Sequence, residues 1–590
     1  MNPLQHLKVI TYSLGLMRQA APKEAAFLAL CLAIQGLIPA LTLIVLKEST
    51  HFLTHFSVAS LSFPWIIFVL WGTILLSETL FEPILSFLRL RLNEKVLSHF
   101  NILLMKKANK LQGLDFLEDR QSASEIKQLK EESRIKPLNL IYTLTGGFRE
   151  CIGLVSVLFL LSTTIWWLPC LIILSAIPHT ISTIWREKYA WDFALLKSPE
   201  TQRMAELSKQ TLDLRSAKEI RLFGFGDFLI KKYQTIFQDF HKQMETKRRS
   251  LFSRFLLLSF PSIVGDFFIF YFVIHYALNG QMQGGEVVMA IQGLITVQRT
   301  LGLLTQHLGM FAQSYSFFSK FKTFIQSATS RVSSPKKPKV VSHLTGEIRL
   351  NNVSFSYPEG RKALDNINLT LKANETVALV GENGAGKSTL VKLLCRFYDP
   401  TSGSISVEGN DLKSLDVEWW RQHLSCVLQD FAEYPLTVKE NIGIGDWQKM
   451  DNASLIKNAA QKGGAHTLKL AKGYDTFLGK PFGGTSLSGG EWQKIALSRA
   501  FMRQATFLIL DEPTAALDAR SEREIFHSFS KMTKEKTALL ITHRLGSVAL
   551  ADRILVMKQG QIIEDGTHDT LLSKSGEYAS LYAMQAENYK

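Results

Sequence analysis

The sequence predicts a membrane α-helical domain of six transmembrane helices with long cytoplasmic extensions, followed by an α/β domain built to hold phosphate. Three observations predict it. Apolar stretches of spanning length recur before residue 310, and beyond it strand-like and helix-like patterns alternate. Gly381-Glu382-Asn383-Gly384-Ala385-Gly386-Lys387-Ser388-Thr389 joins an apolar strand, Thr376 to Val380, to a helical pattern. A second apolar strand, Phe507 to Leu510, ends in the adjacent carboxylates Asp511 and Glu512.

At 590 residues the chain exceeds what one core supports, and its 46% hydrophobic and 20% charged content fits a membrane half joined to a water-soluble half. The formal charge of +15 has a particular distribution. Arg89, Arg91, Lys95, Lys106 and Lys107, and then Arg186, Lys188, Lys231 and Lys232, flank apolar spans. That is the pattern of a cytoplasmic membrane surface, and no nucleic-acid partner is expected. The five cysteines are scattered without a Cys-x-x-Cys pair, so neither a zinc site nor a disulfide framework is expected. Met1 to Ala20 lacks the basic start and apolar core of a signal peptide and reads as a short amphipathic helix at the membrane surface.

A span needs about 20 mostly apolar residues. The expected spans are 25–46, 61–82, 151–167, 168–185, 255–278 and 286–308. The third and fourth form a tight pair turned near Trp166-Trp167-Leu168-Pro169. The sixth is the weakest, because Gln292, Gln298, Arg299 and Gln306 interrupt it. The connecting stretches 47–60, 166–170 and 279–285 hold a single basic residue, Lys47, whereas 89–150 and 186–254 are rich in Lys and Arg. By the positive-inside rule both termini are cytoplasmic, in a multi-pass protein whose surroundings are the lipid bilayer. Charges inside spans are costly and mark candidate functional positions. Asp266, Arg299, Glu78 and Glu82 are those residues, either lining a substrate path or, for Asp266 and Arg299, pairing as a structural lock. The transmembrane domain is placed at 1–326, a Pro-, Ser- and Lys-rich linker at 327–346, and the α/β domain at 347–590.

The chemistry of the second domain follows from its motifs. Glycines let backbone wrap phosphate, and the helix start after them adds its dipole. Lys387 reaches the β- and γ-phosphates, Ser388 supplies an oxygen to Mg2+, and Asp511 supports the same ion. Glu512 is the candidate for polarising the attacking water. Leu487-Ser488-Gly489-Gly490-Glu491-Trp492-Gln493 opens a helix with a hydroxyl and free N–H groups able to face an anion.

This ordered trio resembles the nucleotide-binding domain of ABC transporters, so the second domain is expected to be an α/β P-loop NTPase domain of ABC type. Six spans with long cytoplasmic helices resemble the exporter-type half-transporter. The resemblance implies ATP and Mg2+ as cofactors, with Gly381, Asn383, Gly384, Gly386, Lys387, Ser388 and Thr389 around the nucleotide. It implies that Tyr357 stacks on adenine, that Gln429 senses Mg2+ and acts in catalysis, and that His543 contacts the γ-phosphate. Asp518 would communicate between two ATP sites. Ser488, Gly489 and Gly490 would complete the site of a second copy, and an intact Glu512 implies a homodimer. Glu491 and Trp492 stand where many members carry Gln and Lys or Arg, and Ala515 replaces a usual serine. Leu114 to Arg120 and Ala217 to Gly224 match the coupling helices that dock on nucleotide-binding domains.

The implied activity is ATP hydrolysis coupled to export by alternating access. Gly473 to Lys480 and Ala217 to Gly224 resemble exporters of small modified peptides such as lanthipeptides. With the first cysteine, Cys31, inside a span, no N-terminal cysteine peptidase is expected, and a leader would be cut by another protein. A lipid or multidrug exporter, or an importer or ATP-gated channel on the same fold, remains open. A soluble ABC ATPase is disfavoured by the apolar half.

Overall fold

The computed structural model describes residues 3–54, 65–193, 199–327, 332–339, 346–358, 360–479, 483–513, 536–542 and 551–587, with single positions at 341, 344, 529, 533 and 548. They form two compact units, Met1–Lys107 with Ser124–Ser327, and Ala108–Ala123 with Ala328–Lys590.

The first unit is all helix. It holds α1 (Pro3–Ala20), α2 (Pro22–Thr54) and α3 (Trp65–Lys110), which reaches just past the unit's boundary. After α4 (Asp115–Glu118) and α5 (Arg120–Glu132) come α6 (Lys136–Thr164), α7 (Leu168–Phe193), α8 (Pro199–Leu212) and α9 (Leu214–Phe223). The longest two are α10 (Gly226–Leu278) and α11 (Gly284–Ser327). Six of these, α2, α3, α6, α7, α10 and α11, are long and apolar enough to cross a membrane. Residues 61–64 of the second expected span lie outside the described residues. The 53 residues of α10 make a rod of about 80 Å, far longer than the ~30 Å hydrocarbon layer, so much of it lies outside any membrane. The sixth span's glutamines do not break α11, because a helix satisfies its own backbone groups whatever side chains it carries.

Close packing in this unit rests on small residues. A Cβ on Gly36 of α2 would lie 2.8 Å from Ile152 Cβ of α6, and one on Gly293 of α11 would lie 2.8 Å from Leu161 Cδ2. Around these contacts Val157, Leu161, Leu168, Ile172 and Val297 are fully buried. Lys47 Nζ and Glu286 Oε1, 3.1 Å apart, tie α2 to α11. Asp266 does not pair with Arg299. Its Oδ1 accepts a hydrogen bond from Ser175 Oγ at 3.1 Å, a neutral partner on the neighbouring helix.

The second unit carries two sheets. An antiparallel one has the order β2-β1-β4-β5, from β1 (Ile348–Ser356), β2 (Lys362–Leu371), β4 (Ser402–Val407) and β5 (Asn410–Asp411). The other has the order β10-β9-β3-β8-β7-β6. Its strands are β3 (Thr376–Val380), β6 (Leu424–Val427), β7 (Phe507–Asp511), β8 (Thr537–Ile541), β9 (Arg553–Lys558) and β10 (Gln561–Gly566). All neighbours in it are parallel except β10 with β9. β3, β7 and β8 are buried at every position, as parallel strands covered on both faces require. Between the sheets runs α12 (Lys387–Leu394), and α13 (Val417–Gln422) delivers Trp420 to the core. Trp420 is fully buried, its Nε1–H donates to Leu394 O at 2.8 Å, and its ring meets Phe507 at 5.2 Å.

The segment 108–123, assigned from sequence to the membrane half, packs as part of the second unit. Leu114 N donates to Phe397 O at 3.1 Å, and Arg421 Nη2 donates to Gln112 O at 2.6 Å. Glu118, at the end of α4, pairs with Lys392 Nζ at 3.0 Å and accepts from the Tyr398 hydroxyl. Burial and that carboxylate push the Tyr398 phenol well above its ordinary range.

Removing a fully buried indole leaves both a cavity and an unpaired carbonyl. Trp420→Ala is expected to cost about 3–5 kcal/mol. Thermal unfolding of the detergent-purified chain should therefore begin at clearly lower temperature than for Trp419→Ala, and equal onsets would contradict this account of the core.

Candidate nucleotide-binding site

β3 ends at Val380 and the chain turns at once through Gly381 to Gly386 into α12. Two glycines there are required by geometry. Gly381 has φ +152° and a Cβ on it would lie 2.2 Å from Met557 O; Gly386 has φ +108° and a Cβ would lie 2.7 Å from Ala363 O. Gly384 also has positive φ, and Asn383 is exposed at the loop's apex. The N–H groups at the start of α12 follow directly, which is the arrangement that binds phosphate.

Lys387 is only 6% exposed, and its Nζ donates to Gly381 O at 2.6 Å and to Glu382 O at 2.9 Å. Burial pulls its pKa below the ordinary lysine value, and the nearby carboxylates of Glu512 and Asp511 oppose that. The next residue, Ser388, is exposed, and its hydroxyl favours the charged form of the Asp511 carboxylate. Thr389 is buried, and its Oγ1 lies 3.1 Å from the hydroxyl of Tyr357. The Tyr357 ring packs edge-on against Phe355 and Tyr398, with Lys392 Nζ 5.4 Å from its centroid.

Asp511 closes β7 and is 3% exposed. Its Oδ1 has no hydrogen-bond partner, and burial raises its pKa while Ser388 and Lys387 work the other way. A buried carboxylate oxygen without a donor, beside a serine hydroxyl, is a pair of hard oxygen ligands. These residues fit Mg2+. Among the described residues no cluster of three or more His, Cys, Asp or Glu could hold a metal, which also fits an ion bound chiefly through nucleotide phosphates.

Glu512 sits at φ +49°, a conformation uncommon for glutamate, so the chain turns sharply as it leaves the strand. Three hydrogen bonds hold that turn. Glu512 N donates to Ile541 O at 3.0 Å, Gln493 Nε2 donates to Glu512 O at 3.2 Å, and Gln429 Nε2 donates to Glu512 Oε2 at 3.1 Å. The sequence reading gave Gln493 no role. Its signal was present: a glutamine between Trp492 and Ile495 on the buried face of α16 (Gly489–Met502).

Ser488 is the N-cap of α16, in a reciprocal capping box with Glu491. Ser488 N and Oγ both donate to Glu491 Oε2, at 2.8 and 2.9 Å. Gly489 is exposed and Gly490 partly so, and among the described residues no hydrogen bond joins these three to the P-loop of the same chain. The fold thus gathers Gly381, Gly384, Gly386, Lys387, Ser388, Thr389, Tyr357, Asp511, Glu512 and Gln429, while the exposed start of α16 makes no hydrogen bond to the P-loop among the described residues. Asp518 and His543 lie outside the described residues.

A phosphate-binding loop after β3, a buried acid at the end of β7 on the same edge of the sheet, and six apolar helices define an ATP-binding subunit of a membrane transporter. Residues 364–515 match the family described as ABC transporter. Over 501 residues, 83% of this chain and 80% of the relative, it is 33% identical to the subtilin transport ATP-binding protein of Bacillus subtilis. It is 27% identical over 584 residues, 98% and 96% of the two chains, to the nisin transport ATP-binding protein of Lactococcus lactis. A solved bacterial Atm1-family ABC exporter with ATP bound shares the fold, with TM-score 0.79 at 23% identity over 96% of this chain and 98% of that one. The chain belongs to the ABC transporter family, as a half-transporter of exporter type.

The role of Gln493 can be tested without touching a phosphate contact. Gln493→Leu removes the hydrogen bond that Gln493 Nε2 donates to the Glu512 carbonyl, a loss of about 0.5–1.5 kcal/mol. Turnover of ATP by the purified chain should fall while nucleotide affinity, read with a fluorescent analogue, stays near wild type. Unchanged turnover would remove Gln493 from the site.

Proposed function

We propose that two copies of this chain form a homodimeric exporter that hydrolyses ATP to move a small modified peptide out of the cytoplasm by alternating access. The dimer lies in a bacterial inner membrane with both termini in the cytoplasm, the side that its basic segments favour. Relatives named for subtilin and nisin transport support the peptide as cargo.

The observation that carries the catalytic part is the Gln429 to Glu512 hydrogen bond beside buried, half-partnered Asp511. In this reading Lys387 exchanges its two loop carbonyls for β- and γ-phosphate oxygens, and Tyr357 stacks on adenine. Asn383, Gly384 and the start of α12 supply N–H donors. Ser388 and Asp511 would hold Mg2+, with Gln429 at its edge, and the ion when bound withdraws charge from the phosphate oxygens. Glu512 orients and polarises the attacking water, and His543 reaches the γ-phosphate. Ser488, Gly489 and Gly490 of one copy meet the nucleotide of the other, with Asp518 linking the two sites. Each chain brings its own Glu512 and Ser488, so two like copies make two competent sites. Movement follows because ATP binds the closed pair better than the open pair.

Inside-out vesicles carrying the chain should take up subtilin precursor peptide only with ATP. Glu512→Gln should bind ATP normally yet turn it over about 10²–10⁴-fold more slowly and abolish uptake. Near-normal turnover would remove Glu512 from its role. Stimulation by lipids but not by peptide would make this a lipid exporter, and flux without turnover would make it a channel.

A further inference from the structure

The membrane unit contains a polar seam that neither the ATP chemistry nor the packing explains. Five buried polar atoms on α3 and α11 have no hydrogen-bond partner: Arg89 Nε, Asn93 Oδ1, His99 Nε2, His307 Nδ1 and Ser314 Oγ. Such atoms are costly away from water, so a seam of them is built to be filled.

The two helices meet at two levels, in the same order along each. Phe100 of α3 packs against Phe317, Phe318 and Phe321 of α11, with centroids 6.3, 5.4 and 4.6 Å away. Eleven residues earlier on each helix stand Arg89 and His307. Tyr142 of α6 bridges that level, 5.8 Å from the Arg89 guanidinium and 5.7 Å from the His307 ring. Room for the imidazole comes from Gly146, where a Cβ would lie 2.3 Å from His307 Cε1.

Charges at this level are unevenly matched. Glu150 is buried and is taken by Arg149. Among the described residues Arg89 pairs with Glu82 alone, 3.9 Å away with a side chain 61% exposed. One turn further along the same face of α3 lies Asn93, an acceptor without a donor. The free groups therefore ask for an anion that accepts from Arg89 and, beside it, a donor for Asn93. A phosphodiester offers acceptors alone. The end of a peptide offers both, a carboxylate and the amide N–H next to it. Arg89 follows the second apolar stretch, Glu150 precedes the third and His307 closes the sixth, so the cluster lies at the cytoplasmic mouth in the proposed orientation.

We propose that Arg89 and Asn93, walled by Tyr142 and His307, form a cargo-recognition site for the carboxylate end of a peptide. The inference rests on the reading of the chain as a peptide exporter and assigns it a place where cargo first binds. The full chain with Asn93→Cys, in neutral phosphatidylcholine vesicles, provides the test, with the wild-type chain as blank. Its labelling by an anionic sulfonate methanethiosulfonate is compared with that by the cationic trimethylammonium analogue, each scaled to its rate with mercaptoethanol. The sulfonate should win by about five-fold, the influence of one nearby unit charge. Arg89→Gln should erase that preference and Arg89→Lys should keep it. Triglycine with a free carboxylate should slow the labelling, and triglycine amide should not.

No labelling by either reagent, or a preference for the cation, would overturn the site. So would equal protection by the acid and the amide, or protection by phosphatidylglycerol in the vesicles without protection by triglycine. If labelling fails these tests while vesicles still take up precursor peptide, the site is wrong and the export reading stands. If labelling passes while uptake fails, the site stands and the export reading is at fault.

Discussion

The ammonium of Lys387 is buried at the end of a loop that only glycine can build at Gly381 and Gly386, and the nucleotide unit is arranged around that constraint. Burial destabilises the charge, and the carboxylates of Asp511 and Glu512 offset the cost. Strand order makes this possible. β3 and β7 flank β8 in a parallel sheet, so the residues leaving β3 and those ending β7 emerge at the same edge. Ligands of open α/β sheets gather at that carboxyl edge because all the strand ends and helix starts converge there. Met557 O and Ala363 O press on Gly381 and Gly386, which fixes the loop's path from outside. The sharp turn at Glu512, pinned by Ile541, Gln493 and Gln429, fixes the acid's position from the other side.

In the helical unit the governing constraint is solvation. Spanning helices satisfy their own backbones and associate through small residues and tight apolar packing, as at Gly36 and Gly293. Against that background the unpartnered atoms of Arg89 and His307 stand out by gathering around Tyr142. Asp266 shows the ordinary outcome, a polar side chain that finds a hydroxyl next door.

The nucleotide motifs were legible in sequence because their chemistry is local. A glycine loop between a strand and a helix, or an acid at a strand's end, sits within a few residues and survives any tertiary context. Six apolar helices were legible for the same reason, since length and composition decide them. What depends on neighbours distant in the chain was not. That 114–120 docks on a nucleotide-binding domain was legible only through the family resemblance, whereas the residues that hold it, Phe397, Lys392, Tyr398 and Arg421, lie some 300 residues on. Gln493 looked like one polar residue on a helix until Glu512 O was placed beneath it. Arg89 read only as a basic flank of the second span, and neither Glu150 nor His307 drew notice. Only the side-by-side packing of α3, α6 and α11 brings them to one level.

The central claim is that each ATP site is completed by the start of α16 from a second copy. Disulfide trapping addresses it directly, with a cysteine in place of Ser488 and another in place of Asn383 on the same chain. The account predicts a species of doubled mass on a non-reducing gel, formed with ATP and lost without it. A disulfide confined to the single chain, or a dimer band indifferent to ATP, would contradict it.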